Sequence, residues 1–231
     1  MIREDSVSVI MSTFNDEKTV SYAIDSILEQ SHKNLEFHII DDGSKDNTMQ
    51  ILDSYSKKNK NLFVYQNNEN IGLTKSLNFL IEKTEGQYIA RQDADDISHS
   101  DRIYEQLLVM KKNNNIDFCG TRAVVKQTNL IVPNISYYLP KKFLIKYKNP
   151  FIHGTLLFKK KVLQAVGGYD ERFYYAQDYK LIIDLFQKKY LFRLLKQPLY
   201  TLNYSNNISI NFKNEQKYFA DCARKGISPN Y

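Results

Sequence analysis

Apolar residues along the first half of the chain come in short compact runs, each followed by a polar turn and then an amphipathic stretch. VSVIMST (7–13) is compact and apolar enough for a strand buried on both faces. EKTVSYAIDSILEQ (17–30) then sets Val20, Ala23, Ile24, Ile27 and Leu28 on one helical stripe, with Asn15 or Asp16 placed to cap it. LEFHIID (35–41) repeats the strand signal and passes through DGSKDN turn chemistry into the helical TMQILDSYSKK (48–58). A third strand, LFVYQ (62–66), leads through the polar loop NNENIG to a helix over LTKSLNFLIEK (73–83). QYIARQ (87–92) is a fourth strand, and DRIYEQLLVMKK (101–112) is a further amphipathic helix. This β-α-β-α-β-α-β series predicts a parallel α/β sheet with right-handed crossovers, of the dinucleotide-fold type.

The second half is less regular. DFCGTRAVV (117–125) predicts a strand, after which Pro133, Pro140 and Pro150 interrupt regular structure. GTLLFKK (154–160) predicts a strand, VLQAV (162–166) a short helix ended by Gly167 and Gly168, and DYKLIIDLFQKK (178–189) an amphipathic helix. The tail from Asn206 to Tyr231 is polar and weakly patterned. Neither a repeat nor a clear linker divides the chain. The expectation is one domain over 1–231, with a nucleotide-binding half (1–116) and an acceptor-binding half (117–231).

Composition narrows the class. No apolar run approaches the ~20 residues of a membrane span, and no basic-then-apolar leader opens the chain. The expectation is a cytoplasmic protein, soluble or peripheral on a membrane. Cys119 and Cys222 have neither metal-site spacing nor a disulfide framework. A net charge of +6 points to an anionic partner: a nucleotide, a phosphorylated lipid, a membrane surface or a nucleic acid.

Three polar clusters fall at the carboxyl ends of predicted strands: STFN (12–15), DDGS (41–44) and DADD (93–96). Open parallel sheets bind ligands at that end, so the three would converge on one crevice. In extended backbone Asp93 and Asp95 share a face and repel each other, unless a cation such as Mg²⁺ or Mn²⁺ lies between them and a diphosphate. The alternative is a solvated acidic turn, with Asp101 capping the next helix. DDGS is either an ordinary turn ordered by Asp42 or a carboxylate set to accept hydrogen bonds from a nucleobase. Phe14 would stack on that base or simply fill the strand end.

VSVIMSTFN, FHIIDDGSKDNT, NIGLTKSLN, GQYIARQDADD and NPFIHGTLLFKKKVLQAVGGYDERFYYAQDYKLIIDL resemble, in that order, the family 2 glycosyltransferases, over about Val7 to Ser209. The resemblance implies the GT-A fold: a Rossmann-like, mostly parallel central sheet flanked by helices, with a less regular acceptor-side C-terminal half. It implies a metal-dependent, inverting transfer from a UDP-sugar to a glycan or lipid-linked saccharide in bacterial surface-polysaccharide synthesis. Ser12 and Phe14 would line the nucleobase pocket and Asp42 would bind uracil. Asp93-Ala94-Asp95 matches the family's Asp-x-Asp motif for Mn²⁺ or Mg²⁺, with Asp95 the direct ligand. Asp96 would sit near the donor sugar or brace the loop, and His153 and Gly154 match a strand lining the site. Asp178 matches the catalytic base. Lys75 and Arg91 are diphosphate contacts or loop-bracing charges.

Two departures stand out. Gln177 replaces the Glu that usually precedes the base, and Asn203 falls where many members carry a metal-contacting His. A sugar nucleotidyltransferase would need a Gly-rich, Lys-containing loop after the first strand, which STFNDEK lacks. A nucleic-acid or other anionic-ligand binding module leaves the acids at the strand ends unexplained, so no nucleic-acid partner is expected. Lys141, Lys142, Lys146 and Lys148 form a run expected to face an anionic membrane.

Overall fold

The computed structural model describes residues 5–204 and 212–230. Residues 206–211 of the polar tail, and the end of the family resemblance at Ser209, therefore lie outside the described residues. The first half alternates as predicted: β1 (Val7–Thr13), α1 (Val20–Leu28), β2 (Leu35–Asp41), α2 (Thr48–Ser56), β3 (Leu62–Gln66), α3 (Leu73–Lys83) and β4 (Tyr88–Arg91). A two-residue β5 (Ile97–Ser98) follows the acid cluster, then α4 (Arg102–Lys112), β6 (Phe118–Val125) and β7 (Ile131–Val132). The short α5 (Lys141–Leu144) precedes β8 (Leu157–Lys159), α6 (Lys160–Val166) and α7 (Gln177–Gln187). The chain closes with β9 (Phe192–Leu202) and α8 (Lys213–Lys225).

One sheet runs through both halves in the order β3-β2-β1-β4-β8-β6-β9-β5, with β7 on β6. The longest ladders, β1–β2, β2–β3 and β6–β9, are parallel, while β8 joins β4 and β6 antiparallel. Side chains alternate across it with the period-2 pleat. Val7, Val9 and Met11 of β1 enter one core with Phe37, Ile39, Tyr88 and Ala90, under α1, α2 and α4. Ile10, Ile40 and Ile89 point to the other face and pack with α3, α6 and α7. Burial on both faces is why these strands read as continuous apolar runs.

Several elements depart from expectation. Asp16 does not cap α1; that helix begins at Val20 and has no side-chain cap. Asp101 likewise precedes α4 without a capping bond. His153–Thr155 is a 3₁₀ turn, and the strand beyond it starts only at Leu157. The tail contains α8, packed through Phe219, Cys222 and Ala223 against Tyr179 and Ile183 of α7. β9 was not anticipated at all.

Candidate active site

The order 3-2-1-4 reverses direction at β1, so a crevice opens beyond the carboxyl ends of β1 and β4. At the end of β1, Ser12 is buried and Phe14 is exposed. Asp16 holds this turn: its Oδ2 accepts from Thr13 Oγ1 (2.7 Å) and from the Phe14 N–H (3.1 Å). Burial pushes the Asp16 carboxyl up despite those bonds, and the negative charges of Asp46 and Asp93 add to it.

Asp42, at the end of β2, is only 2% exposed. Its carboxylate accepts four hydrogen bonds, from Asn67 Nδ2, the N–H groups of Ile71 and Gly72, and Ser76 Oγ (2.7–3.1 Å). The side chain expected to bind uracil is therefore engaged with the 67–76 segment, and it fixes the start of α3. Lys75 is exposed on the first turn of that helix.

The acid loop at the end of β4 is built from beneath. Buried Gln92 donates through Nε2 to the carbonyls of Asp93 and Asp96 (3.0 Å each) and accepts from Ser98 Oγ (2.6 Å). Arg91 does not project toward a diphosphate. It is turned inward, 1% exposed, with Nη2 2.6 Å from Asp93 Oδ1. Tyr200, from β9, accepts the Asp93 N–H (3.1 Å) and bonds the Asp96 carboxyl. Buried Arg102 stacks over its ring and donates to the carbonyls of Arg91 and Gly154. Asn203 meets this loop too: its N–H donates to Asp96 Oδ1 (2.7 Å), and its own Oδ1 accepts from Gln127.

The loop carries more negative charge than its surroundings neutralise. Burial, reinforced by Asp93 and Asp16, pushes the Asp95 carboxyl up to about 7. Burial, with Asp93 and Asp95 beside it, pushes Asp96 up to about 9. A cation fits this donor set, since it would offset the burial and the repulsion that together raise both values. Among the described residues no three His, Cys, Asp or Glu side chains form a complete metal cage. Asp95 also borders a small recess lined by Lys18, Tyr22, Lys126, Thr201 and Asn203.

Across the β4–β8 seam lies a second set of groups. Asp178 is the second residue of α7, after buried Gln177 and after Ala176, which takes a left-handed φ of 53°. Asp178 Oδ2 accepts from Asn149 Nδ2 (2.7 Å), and Oδ1 from the Tyr179 N–H (2.7 Å). His153 Nε2 lies 2.7 Å from the Tyr169 hydroxyl. Burial and the positive Arg91 lower the His153 pKa, while Asp93 and Asp178 oppose the shift. The His153–Tyr169 pair thus lies within electrostatic reach of both Asp93 and Asp178, which come from opposite halves of the chain. Asn149, Tyr169, Tyr200 and Arg102 were not singled out from sequence, and Asp16 was read only as a helix cap. Only Asn149, inside NPFIHG, carried a visible signal. The larger cleft, between Gly167, Asp170, Lys180 and Lys188, lies along α6 and α7 and its main charges pair with one another.

A Rossmann-like sheet ending in an Asp-x-Asp loop, continued by mixed strands that bring a carboxylate toward it, is the architecture of GT-A glycosyltransferases. The chain belongs to glycosyl transferase family 2, whose sequence profile matches residues 8–167. It is 32% identical over 198 residues to EpsE of Bacillus subtilis (strain 168), covering 84% of this chain and 71% of EpsE. It is also 32% identical over 184 residues to the O-antigen biosynthesis glycosyltransferase WbnJ of Escherichia coli, covering 77% of this chain and 70% of WbnJ. The fold is similar to S. aureus TarS 1–349 in complex with UDP: TM-score 0.74, 20% identity, 97% of this chain and 67% of that one. The mannosyltransferase PcManGT from Pyrobaculum calidifontis, in complex with GDP-Man and Mn²⁺, also has TM-score 0.74, at 16% identity over 96% of this chain and 65% of that one. Family membership sets aside the nucleotidyltransferase and binding-module readings.

Proposed function

We propose that this glycosyltransferase moves a hexosyl or N-acetylhexosaminyl group from a UDP-sugar to a hydroxyl of a glycan or lipid-linked saccharide, with inversion, in the synthesis of a surface polysaccharide. The observation that carries the reading is the Asp93–Asp96 acid loop at the carboxyl end of β4, braced by Arg91, Gln92 and Tyr200 next to the 153–155 turn and the His153–Tyr169 pair. WbnJ supports the polysaccharide setting, and the UDP and UDP-GlcNAc complexes of TarS support the donor class.

Ser12 and Phe14 would receive the base, on a floor that Asp42 shapes through the 67–76 segment. Asp93 and Asp95 would hold Mn²⁺ or Mg²⁺, which when bound would offset charge on the departing diphosphate. Asp178 would take the acceptor's proton as its oxygen bonds to the anomeric carbon and the bond to the diphosphate breaks. Asn149 holds one carboxylate oxygen and the Tyr179 N–H the other, so the carboxylate is oriented before the acceptor arrives. Gln177 adds no negative charge beside it. Arg91 would act through Asp93, whose carboxylate it holds.

A donor screen with UDP-glucose, UDP-galactose and their N-acetyl forms identifies the substrate by metal-dependent hydrolysis. Asp178→Asn then tests the base. Loss of a general base costs about 10²–10⁴ in rate. Transfer should fall by that factor while UDP affinity and melting temperature stay near wild type. Wild-type transfer in the variant would move the base elsewhere, and loss of folding in step with activity would make Asp178 structural.

A further inference from the structure

The 52 residues from Phe118 to Tyr169 contain nine Lys or Arg and no Asp or Glu, whereas the rest of the chain has 23 basic against 26 acidic residues. The positive charge of the protein therefore resides in this span. At its centre the side chains sort into two groups. Lys141 is buried, and its Nζ donates to the carbonyls of Ser136 (3.1 Å), Tyr137 and Leu139 (3.0 Å). Arg122 also turns inward, donating to the Pro133 carbonyl (3.1 Å) beneath the Tyr137 ring. These two cations fold the 133–144 segment on itself, so Lys141 leaves the membrane-facing run expected from sequence.

What the scaffold turns outward is apolar. Ile135 is 77% exposed, Tyr138 70%, Phe143 52% and Tyr147 63%, with the Phe143 and Tyr147 rings 5.1 Å apart. Lys142, Lys146 and Lys148 are exposed among them. Monomers rarely show large apolar side chains so densely within thirteen residues without a partner.

We propose that residues 135–148 are a membrane-docking element, whose aromatic and aliphatic side chains enter the interface of an anionic bilayer while the three lysines meet its headgroups. Aromatic side chains and snorkelling lysines suit that interface, and the charge is complementary. A second copy of this chain suits it less, because it would bring an equally positive, acid-free surface against the first. The segment runs directly into Asn149, which holds Asp178. Resting on the function proposed above, docking here would deliver a lipid-linked acceptor to the side of the base.

Cosedimentation with phosphatidylcholine vesicles, with and without phosphatidylglycerol, tests the element independently of transfer. Each basic residue near an anionic surface is worth about fivefold in partitioning. Wild type should bind only the anionic vesicles, more weakly as salt rises. Lys142→Glu with Lys146→Glu should weaken binding by about 25-fold or more. Ile135→Ser with Phe143→Ser should also lose binding, with melting temperatures unchanged in both variants. Equal binding to neutral vesicles, retention by either double variant, or no binding by wild type overturns the proposal. So does a wild-type dimer in light scattering that the serine variant abolishes, because the surface would then be a contact between copies.

Discussion

Gly154 is the tightest point of the site. A Cβ there would lie 2.4 Å from Asp93 Oδ2 and 2.3 Å from the Tyr200 hydroxyl. Neither neighbour can yield cheaply: Arg91 holds the Asp93 carboxylate, and Tyr200 is buried beside Arg102. Gly154 therefore lets the 153–155 turn approach the acid loop, which gives a residue picked out only by family resemblance a physical reason to be there. Gly154→Ala should cost about 1–3 kcal/mol of stability through overpacking. It should also displace Asp93, weakening Mn²⁺-dependent UDP binding by about 10–100-fold, as loss of a supporting contact to a metal ligand does. Thermal-shift titration of UDP with Mn²⁺ against EDTA measures both effects. A variant with unchanged metal dependence would show that Asp93 has no part in holding the cation.

At the scale of elements, Asp42 joins the end of β2 to the start of α3. Asp42→Ala would strand two backbone N–H groups, the Asn67 amide and the Ser76 hydroxyl, at about 1–3 kcal/mol for each group left buried. A loss of about 3–5 kcal/mol in chemical denaturation is expected. Loss of UDP binding at near wild-type stability would instead return Asp42 to the base-binding role. Glu36 ties β2 to its neighbours at the opposite strand ends, accepting from Ser8 Oγ and the Glu85 N–H, with His38 Nε2 3.1 Å away. Burial alone would raise its pKa, but the bonds from His38, Glu85 and Ser8 outweigh it and bring the carboxyl down to about 2. A carboxyl depressed on folding contributes stability that is complete above its unfolded value near 4.5 and is lost as pH falls toward 2. Glu36→Gln should therefore flatten the stability–pH curve between those limits, in urea melts, while leaving nucleotide binding unchanged. Elements of this half were legible because their burial is periodic; α3 lies where its apolar pattern puts a helix. β9 was not, because Arg193, Lys196, Gln197 and Pro198 interrupt its apolar pattern, and its pairing with β6 shifts register around Arg122 and Pro198. α8 buries only Phe219, Cys222 and Ala223, a stripe narrow enough to vanish in a polar tail although its i, i+3, i+4 spacing is helical.

Over the whole molecule, the acids of the site could be read from sequence because carboxylates at strand ends are conspicuous, whereas the groups that position them could not. Tyr200 lies more than a hundred residues from Asp93 and reaches it only because β9 closes the sheet. The expected division at residue 116 is not a division of folding. β4, the last of the four parallel strands in residues 1–116, has β8 along its outer edge, pairing Tyr88 with Lys159, Ile89 with Phe158 and Ala90 with Leu157. Beneath that seam Ile10, Ile40, Leu77 and Ile89 share one core with Phe118, Phe158, Leu163, Leu181 and Leu185. Cutting after residue 116 would bare a central apolar strand edge together with one side of that core, the combination that drives edge-to-edge association. The 1–116 fragment should therefore aggregate or bind a hydrophobic dye without a cooperative thermal transition, and UDP should not rescue it. A soluble, cooperatively melting 1–116 monomer in light scattering and calorimetry would mean that the four parallel strands are self-sufficient. The base at Asp178 would then have been added to a domain that folds alone. On the packing described, β4 is an interior strand, and the acid loop at its end is held by residues from both halves.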